Sequence, residues 1–349
     1  MNDLLFLIGL GFILAHFLGW GFKHLPAERW QMLAVVPLRK AGEDQWLGSN
    51  LTYYGFFVAT SQLFSMTLLF ILLGAMGLSI PGTMLAILIV LACCIPAARL
   101  IAMLVEKKRH TFTIGGASFV GILLAPWSIQ LSNTILGSTH SELPLIPVLS
   151  AMSIAYTLGE GLGRLGCISY GCCYGKPLKD SNKILQWLFF RFSFIFYGST
   201  KKVVYEGQMA GEKLIPIQAI TCVLYTSGAL IGSYLFLIGL FTPALIFTIA
   251  LTQLWRILSE ILRADFRGFG NISAYQKMGM MSVLYIFGVI YFVHAAPYAN
   301  PEILDGIGVL WNPSVILGLQ LLWLVFFFTF GRSSVTSSTI SFELIKENI

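Results

Sequence analysis

The sequence predicts an all-α polytopic membrane protein with about nine transmembrane helices. Three observations carry that prediction. Of 349 residues, 56% are hydrophobic and only 11% are charged, whereas a soluble domain carries roughly 25% charged residues. The mean hydropathy is +0.79. Long apolar runs, each close to the roughly 20 residues that span a hydrocarbon core, recur along the whole chain.

The runs fall near residues 4–22, 52–74, 81–105, 114–136, 146–170, 214–237, 242–263, 277–296 and 312–330. Hydrocarbon cannot hydrogen-bond a backbone, so each run is expected to be helical. The first lacks the charged start and small-residue cleavage site of a secretory signal and reads as a retained helix. Three regions follow: an extra N-terminal helix with a basic loop (1–50), a core (51–296) with a polar cap loop near 171–213, and an extra C-terminal helix with a Ser/Thr-rich tail (297–349). The aromatic stretch from Trp187 to Tyr197, which includes Arg191, reads as a surface-lying helix. Ser333 to Ser341 reads as a mobile tail. No repeat halves of the kind that build secondary transporters are visible.

The formal net charge of +6 does not mark a nucleic-acid binder, because position argues against it. Lys and Arg gather at Lys23 to Lys40, Lys107 to Arg109, Lys176 to Lys213, Arg263 to Lys277 and in the C-terminal tail. If the spans alternate, all of these lie on one side. The opposite segments near 75–80, 137–145, 238–241 and 297–311 contain no Lys or Arg. The bias of basic residues toward the cytoplasm then places the basic face inside the cell, in a multi-pass protein of the plasma (inner) membrane.

Charges inside apolar helices are costly and call for a function. Glu160 and Arg164 are four residues apart and share a helix face. Arg256 and Glu260 repeat that spacing, and Arg263 follows one turn further. Each pair either neutralises itself within its own helix or lines a polar cavity between the two. Guanidinium forks bind phosphate bidentately, and the abundant membrane anion is a lipid headgroup, so an anionic phospholipid is the expected partner. Gly115, Gly116 and Ser118 open one span, where a helix start attracts anions. Tyr54 opens another, and Gln218 lies just inside the span near 214.

Three of the six cysteines, Cys167, Cys172 and Cys173, gather in the run Gly163-Arg164-Leu165-Gly166-Cys167-Ile168-Ser169-Tyr170-Gly171-Cys172-Cys173-Tyr174-Gly175. C-x4-C-C does not match the common zinc patterns, which favour C-x2-C pairs, and His16, His24, His110, His140 and His294 have no ligand spacing. No metal and no cofactor are therefore expected. A thiolate activated by the neighbouring cation, plain packing and, least favoured by the spacing, a metal site remain open for the three cysteines; Cys93, Cys94 and Cys222 read as packing residues.

In order and spacing these segments resemble the prolipoprotein diacylglyceryl transferase family over roughly residues 50–296. Tyr54-Gly55 is similar to the opening of the family's first core helix, and Gly115-Gly116-Ala117-Ser118-Phe119 to its Gly-Gly-x-Ser-Phe. Gly163-Arg164-Leu165-Gly166 with Gly171 and Gly175 resembles its signature run, Pro216 and Gln218 its Pro-x-Gln, and Arg256, Glu260 and Arg263 its Arg-x-x-x-Glu-x-x-Arg. The resemblance implies a seven-helix core and transfer of a diacylglyceryl group from a phosphatidylglycerol-like lipid to a cysteine thiol. Arg164 and Arg256 would stabilise the departing phosphate, with Tyr54, Gly115, Gly116, Ser118, Glu160, Gly166, Gly171, Gln218, Glu260 and Arg263 around the lipid.

Departures from the family pattern accompany the match. The family's histidine is Val120, its signature asparagine is Cys167, its later acidic position is Cys172, and the histidine before Pro-x-Gln is Ile215. One of Cys167, Cys172 or Cys173 is expected to act as nucleophile or acid/base in the histidine's place. The family's reactive face looks outward, whereas the charge bias here points inward. The acceptor, protein or small molecule, stays open. So do two other readings of the same residues: a non-catalytic phospholipid-binding or flipping protein, and a membrane thiol or redox enzyme.

Overall fold

The computed structural model describes residues 1–105, 107, 113–137, 142–265, 272–293, 298 and 300–349. His110, His140 and His294 lie outside the described residues. In chain order the elements are α1 (Asn2–His24), β1 (Met32–Lys40), β2 (Gln45–Thr52), α2 (Tyr53–Gly74), α3 (Ile80–Val105), α4 (Ile114–Leu136), α5 (Leu145–Tyr170), α6 (Lys183–Phe189), α7 (Lys202–Tyr205), α8 (Ile217–Leu237), α9 (Phe241–Leu262), α10 (Ala274–Phe292), α11 (Ile303–Val309), α12 (Pro313–Gly331) and β3 (Arg332–Ser341).

Among the described residues, eight helices are long and apolar enough to cross a membrane: α1, α2, α3, α4, α5, α8, α9 and α12. The ninth expected span is α10, a 19-residue helix whose first turn carries Gln276 and Lys277, which lowers its hydropathy. Helix α5 is the hub. Within its most apolar stretch 83% of residues are buried, against 17% for α3 at the lipid-facing edge. It packs on α2, α8 and α9 and touches α4 and α1. Small residues permit that closeness: Gly159 lies against Ser65, and Ser65 Oγ donates to the Ala155 carbonyl at 2.6 Å. The extra helices dock on this core, α1 against α8 and α5, and α12 against α2. At the α2–α12 crossing a Cβ on Gly55 would sit 2.0 Å from the Gly331 Cα, so only glycine fits there.

Helix ends sort as the charge pattern requires. At one end the Glu302 amide donates to the Ala75 carbonyl, and Tyr298 packs on Phe241. At the other end lie the cap, the strands and the described residues of the basic segments. The stretch between α1 and α2 is not a loop. It is an antiparallel hairpin, β1 on β2, and β3 adds antiparallel to the other edge of β2. Ser333 to Ser341 is therefore a strand rather than a mobile tail. Asn50 fixes it, donating to Thr336 Oγ1 at 3.0 Å and accepting from Ser338 Oγ at 2.6 Å. Ser and Thr read as loop residues, and the β-branched residues among them gain strand preference only with a partner edge to pack on; here that edge lies nearly 300 positions earlier in the chain.

In the cap the expected surface helix is shorter than its aromatic run. Helix α6 ends at Phe189, Trp187 and Phe192 are exposed, and Phe194 and Phe196 turn inward. Lys201 is fully buried, and its Nζ donates to the Leu25 carbonyl at 3.1 Å and the Ser169 carbonyl at 2.8 Å, tying the cap to the ends of α1 and α5. Burial pushes its amine down from 10.5 to about 8. The neutral amine keeps enough N–H groups for both carbonyls, so losing the proton removes a desolvation cost without losing a bond. The unfolded chain binds more protons between these values, so this contribution to stability rises with pH. The Tm of the wild type in detergent is expected to rise relative to that of Lys201→Met from pH 8 to 10. A constant or falling relative Tm would contradict this.

Candidate active site

Helix α5 presents Tyr156, Glu160, Arg164 and Cys167 at three- and four-residue spacing, one stripe along its side. Helix α9 faces it with Arg256. The Glu160 carboxylate, with its side chain 1% exposed, receives both arginines. Arg164 Nη2 donates to Oε1 at 2.6 Å, and Arg256 Nη2 donates to Oε2 at 2.6 Å and Oε1 at 2.7 Å. Tyr156 donates its hydroxyl to Glu160 and accepts from Arg256 Nη2 at 3.0 Å. Arg256 thus finds its carboxylate across the helix interface rather than only on its own helix, where the sequence spacing pairs it with Glu260. Two guanidiniums on one carboxylate leave a surplus positive charge. Arg164 Nε and Arg256 Nε are buried without a hydrogen-bond partner among the described residues. Buried donors of this kind carry a desolvation cost until an acceptor arrives.

Arg263 caps the end of α9 and forms a bidentate pair with Asp265, at 2.7 and 2.6 Å. The segment after Cys173 is stitched to that same end: the Lys176 amide donates to the Leu262 carbonyl and the Ala264 amide to the Tyr174 carbonyl. Gln218, near the start of α8, donates to the Cys172 carbonyl at 2.9 Å.

The three cysteines meet because of how α5 ends. Gly171 adopts the left-handed conformation at φ 73°. Its amide donates to the Ile168 carbonyl, and the Cys172 amide donates to the Cys167 carbonyl at 3.0 Å. That pair of bonds is the Schellman termination, in which the two residues joined by the outer bond lie side by side. Cys167 and Cys172 occupy those positions. Cys173, itself left-handed at φ 55°, turns back toward them, and all three Sγ atoms lie within 4.8 Å of one another. Hydrogen bonds from Cys167 and Cys172, then the nearby Arg263 and Arg164, hold the Cys173 thiol well below its usual range. Hydrogen bonding to Cys167 and Cys173 drives the Cys172 thiol the opposite way.

Two chambers flank the arginines. One is apolar, lined by α2, α3, α4 and α5 through residues such as Met66, Val90, Ile122 and Leu149, and it reaches Tyr156, Ser118 and Glu160 at its polar limit. The other is polar, lined by Arg164, Arg256, Arg263, the three cysteines, Gln218 and Gly115. Tyr54, Thr113, Ile114 and Phe330 border both.

Most of the sequence-predicted residues therefore converge. A Cβ on Gly115 would meet Arg256 Nη1 at 2.8 Å, and Gly166 packs on Tyr54. Gly116 instead faces Ile101, and neither Glu260 nor Val120 lines either chamber. Sequence reasoning missed Tyr156, although it sits one turn before Glu160. It also missed Arg99, Lys202 and Arg332 of the polar chamber, which come from separate elements and share no sequence pattern with the site.

Fold and site together define a multi-pass α-helical membrane protein with a two-chambered interior. Residues 45–294 match the prolipoprotein diacylglyceryl transferase family, and the chain belongs to that family of membrane transferases. Among curated proteins and among solved structures, nothing matches the chain.

The shared carboxylate generates a test. Removing one partner of a buried ion cluster leaves uncompensated charge and costs about 3–5 kcal/mol. Glu160→Gln keeps the shape and removes the charge, and it is expected to lower Tm in detergent accordingly. An unchanged Tm would show that the arginines do not depend on Glu160.

Proposed function

We propose that this protein transfers a diacylglyceryl-type group from an anionic, phosphatidylglycerol-like phospholipid to an acceptor thiol. The observation that carries the reading is an apolar chamber lying beside an arginine-lined polar chamber, with Tyr54, Thr113, Ile114 and Phe330 lining both. An amphiphile has that same division. Acyl chains fill the first chamber, and the phosphodiester lies against Arg164 and Arg256.

Attack on the glyceryl carbon expels a phosphate whose charge grows in the transition state. Preoriented guanidiniums in a water-poor site stabilise such charge without reorganising. Glu160 and Tyr156 hold both forks before the lipid enters. Gln218 and Arg263 steady the cysteine segment beside them.

The cap, the strands and the described basic residues Arg99, Lys202, Arg263 and Arg332 lie at the end where the polar chamber lies. The cytoplasmic bias of Lys and Arg then favours an inward-facing site and an acceptor that is a cytoplasmic or membrane-embedded thiol compound rather than an exported lipoprotein. The Val120 substitution favours a second reading, a phospholipid-binding protein without turnover.

Native mass spectrometry of co-purified lipid separates these readings. The wild type is expected to retain an anionic phospholipid. Losing one charged hydrogen-bonding partner costs about 1.5–3 kcal/mol, so Arg164→Ala should hold at least tenfold less while remaining folded. Equal lipid in both, or none in either, overturns the phosphate clamp. Retained lipid that is never consumed, across thiol acceptors offered to the purified protein, establishes the binding-only reading.

A further inference from the structure

We infer that Cys167, Cys172 and Cys173 form a three-thiolate Zn²⁺ site whose open fourth position takes the acceptor thiol. The inference rests on the transferase reading above for its purpose and on the cysteine geometry for its existence.

The sequence spacing argued against zinc because two ligands usually sit two residues apart on a turn. The fold supplies a different device. A Schellman termination places the residues five apart, here Cys167 and Cys172, in side-chain contact. The left-handed backbone at Cys173 folds the third thiol onto the same spot. A residue other than glycine is strained in that region, so the surrounding structure imposes it. The result is three free thiols with Sγ atoms within 4.8 Å of one another. Tetrahedral zinc with Zn–S bonds near 2.3 Å needs sulfurs about 3.8 Å apart, so rotation of the side chains suffices to close the site.

The surroundings suit the charge. Three thiolates and one Zn²⁺ carry a net single negative charge, and Arg164 and Arg263 line the same polar chamber. The first coordination shell is held from behind, since Gln218 donates to the Cys172 carbonyl and the Cys167 carbonyl accepts the Cys172 amide. Such supports fix ligand orientation and tune affinity. Three protein ligands with one open position characterise reactive rather than purely structural zinc.

The open position answers what Val120 leaves unanswered. Thiol transfer needs a thiolate, and where the family carries histidine this chain has a side chain that accepts no proton. A thiol that coordinates zinc is deprotonated outright, its proton passing to water. The sulfur then attacks the glyceryl carbon of the lipid, an S–C bond forms, and the C–O bond to phosphate breaks. The electron pair leaves on the phosphate oxygen, which Arg164 and Arg256 face. Nothing is oxidised or reduced, and the thioether product is a weaker ligand that departs.

The test uses the full-length chain purified in detergent. One equivalent of zinc per chain is expected by elemental analysis. After chelation, titration with Co²⁺ is expected to give the intense thiolate-to-cobalt and tetrahedral d–d bands. Cys167→Ser, Cys172→Ser and Cys173→Ser should each weaken cobalt binding at least about tenfold, and a small thiol such as 2-mercaptoethanol should shift the wild-type spectrum. Absence of zinc together with absence of thiolate bands in the wild type overturns the site, as does metal retained by the triple serine variant. A spectrum indifferent to added thiol overturns the acceptor role. The lipid measurement runs in parallel. Phospholipid retained by a wild type that binds no metal removes the zinc site and leaves the lipid clamp, whereas metal bound without phospholipid removes the clamp and leaves the zinc site.

Discussion

The carboxylate of Glu160 organises this molecule. It is buried at the centre of a bilayer-spanning bundle, and it is bound by a guanidinium of its own helix and by one from α9. Charges of either sign are costly in hydrocarbon, so none of the three can be buried alone. The ion cluster therefore dictates which faces of α5 and α9 meet. Because positive charge exceeds negative by one, the cluster also leaves an electrostatic demand that an anion satisfies. Stability of the helix interface and the phosphate affinity proposed above would arise from the same three groups.

Around that cluster the chain arranges its polar groups in a gradient. Toward the opposite face lies the apolar chamber, in which Glu160 and Tyr156 mark the limit of polarity. Toward the basic face the polar chamber opens beneath the cap. The buried amine of Lys201 clamps the cap to α1 and α5, and Gly175 and Tyr174 pair with the end of α9. The cysteine segment is thus held at both sides. A thiol cluster on a mobile loop could not keep a fixed relation to the arginines; this one is tied to the ends of α5, α8 and α9.

Much of the site was readable before folding because helices translate spacing into proximity. Glu160, Arg164 and Cys167 share a face by periodicity alone, and their cost in an apolar segment marked them. Tyr156 obeys the same rule and was legible, though overlooked. The spacing of Arg256 and Glu260 left open whether each pair neutralises itself or shares a cavity between the helices, and the packing of α9 on α5 brings Arg256 onto Glu160. The cysteines present the same lesson in reverse. C-x4-C looked unsuited to a shared site until the helix terminated at Gly171, and that termination depends on one residue's left-handed backbone.

The sequence by itself determined that the chain crosses a membrane repeatedly, which end of the bundle is basic, and which side chains fall on the polar stripe of α5. All of these follow from local composition and from helix geometry that needs no distant partner. Only the tertiary structure decided that Arg256 answers to Glu160, that Ser333 to Ser341 completes a sheet with β2, and that two chambers lie side by side with Tyr54, Thr113, Ile114 and Phe330 lining both. Each of these requires segments far apart in the chain to pack in one register. That register is set by close contacts between small residues on different helices, such as Gly55 with Gly331 and Gly159 with Ser65, whose partners no local pattern identifies.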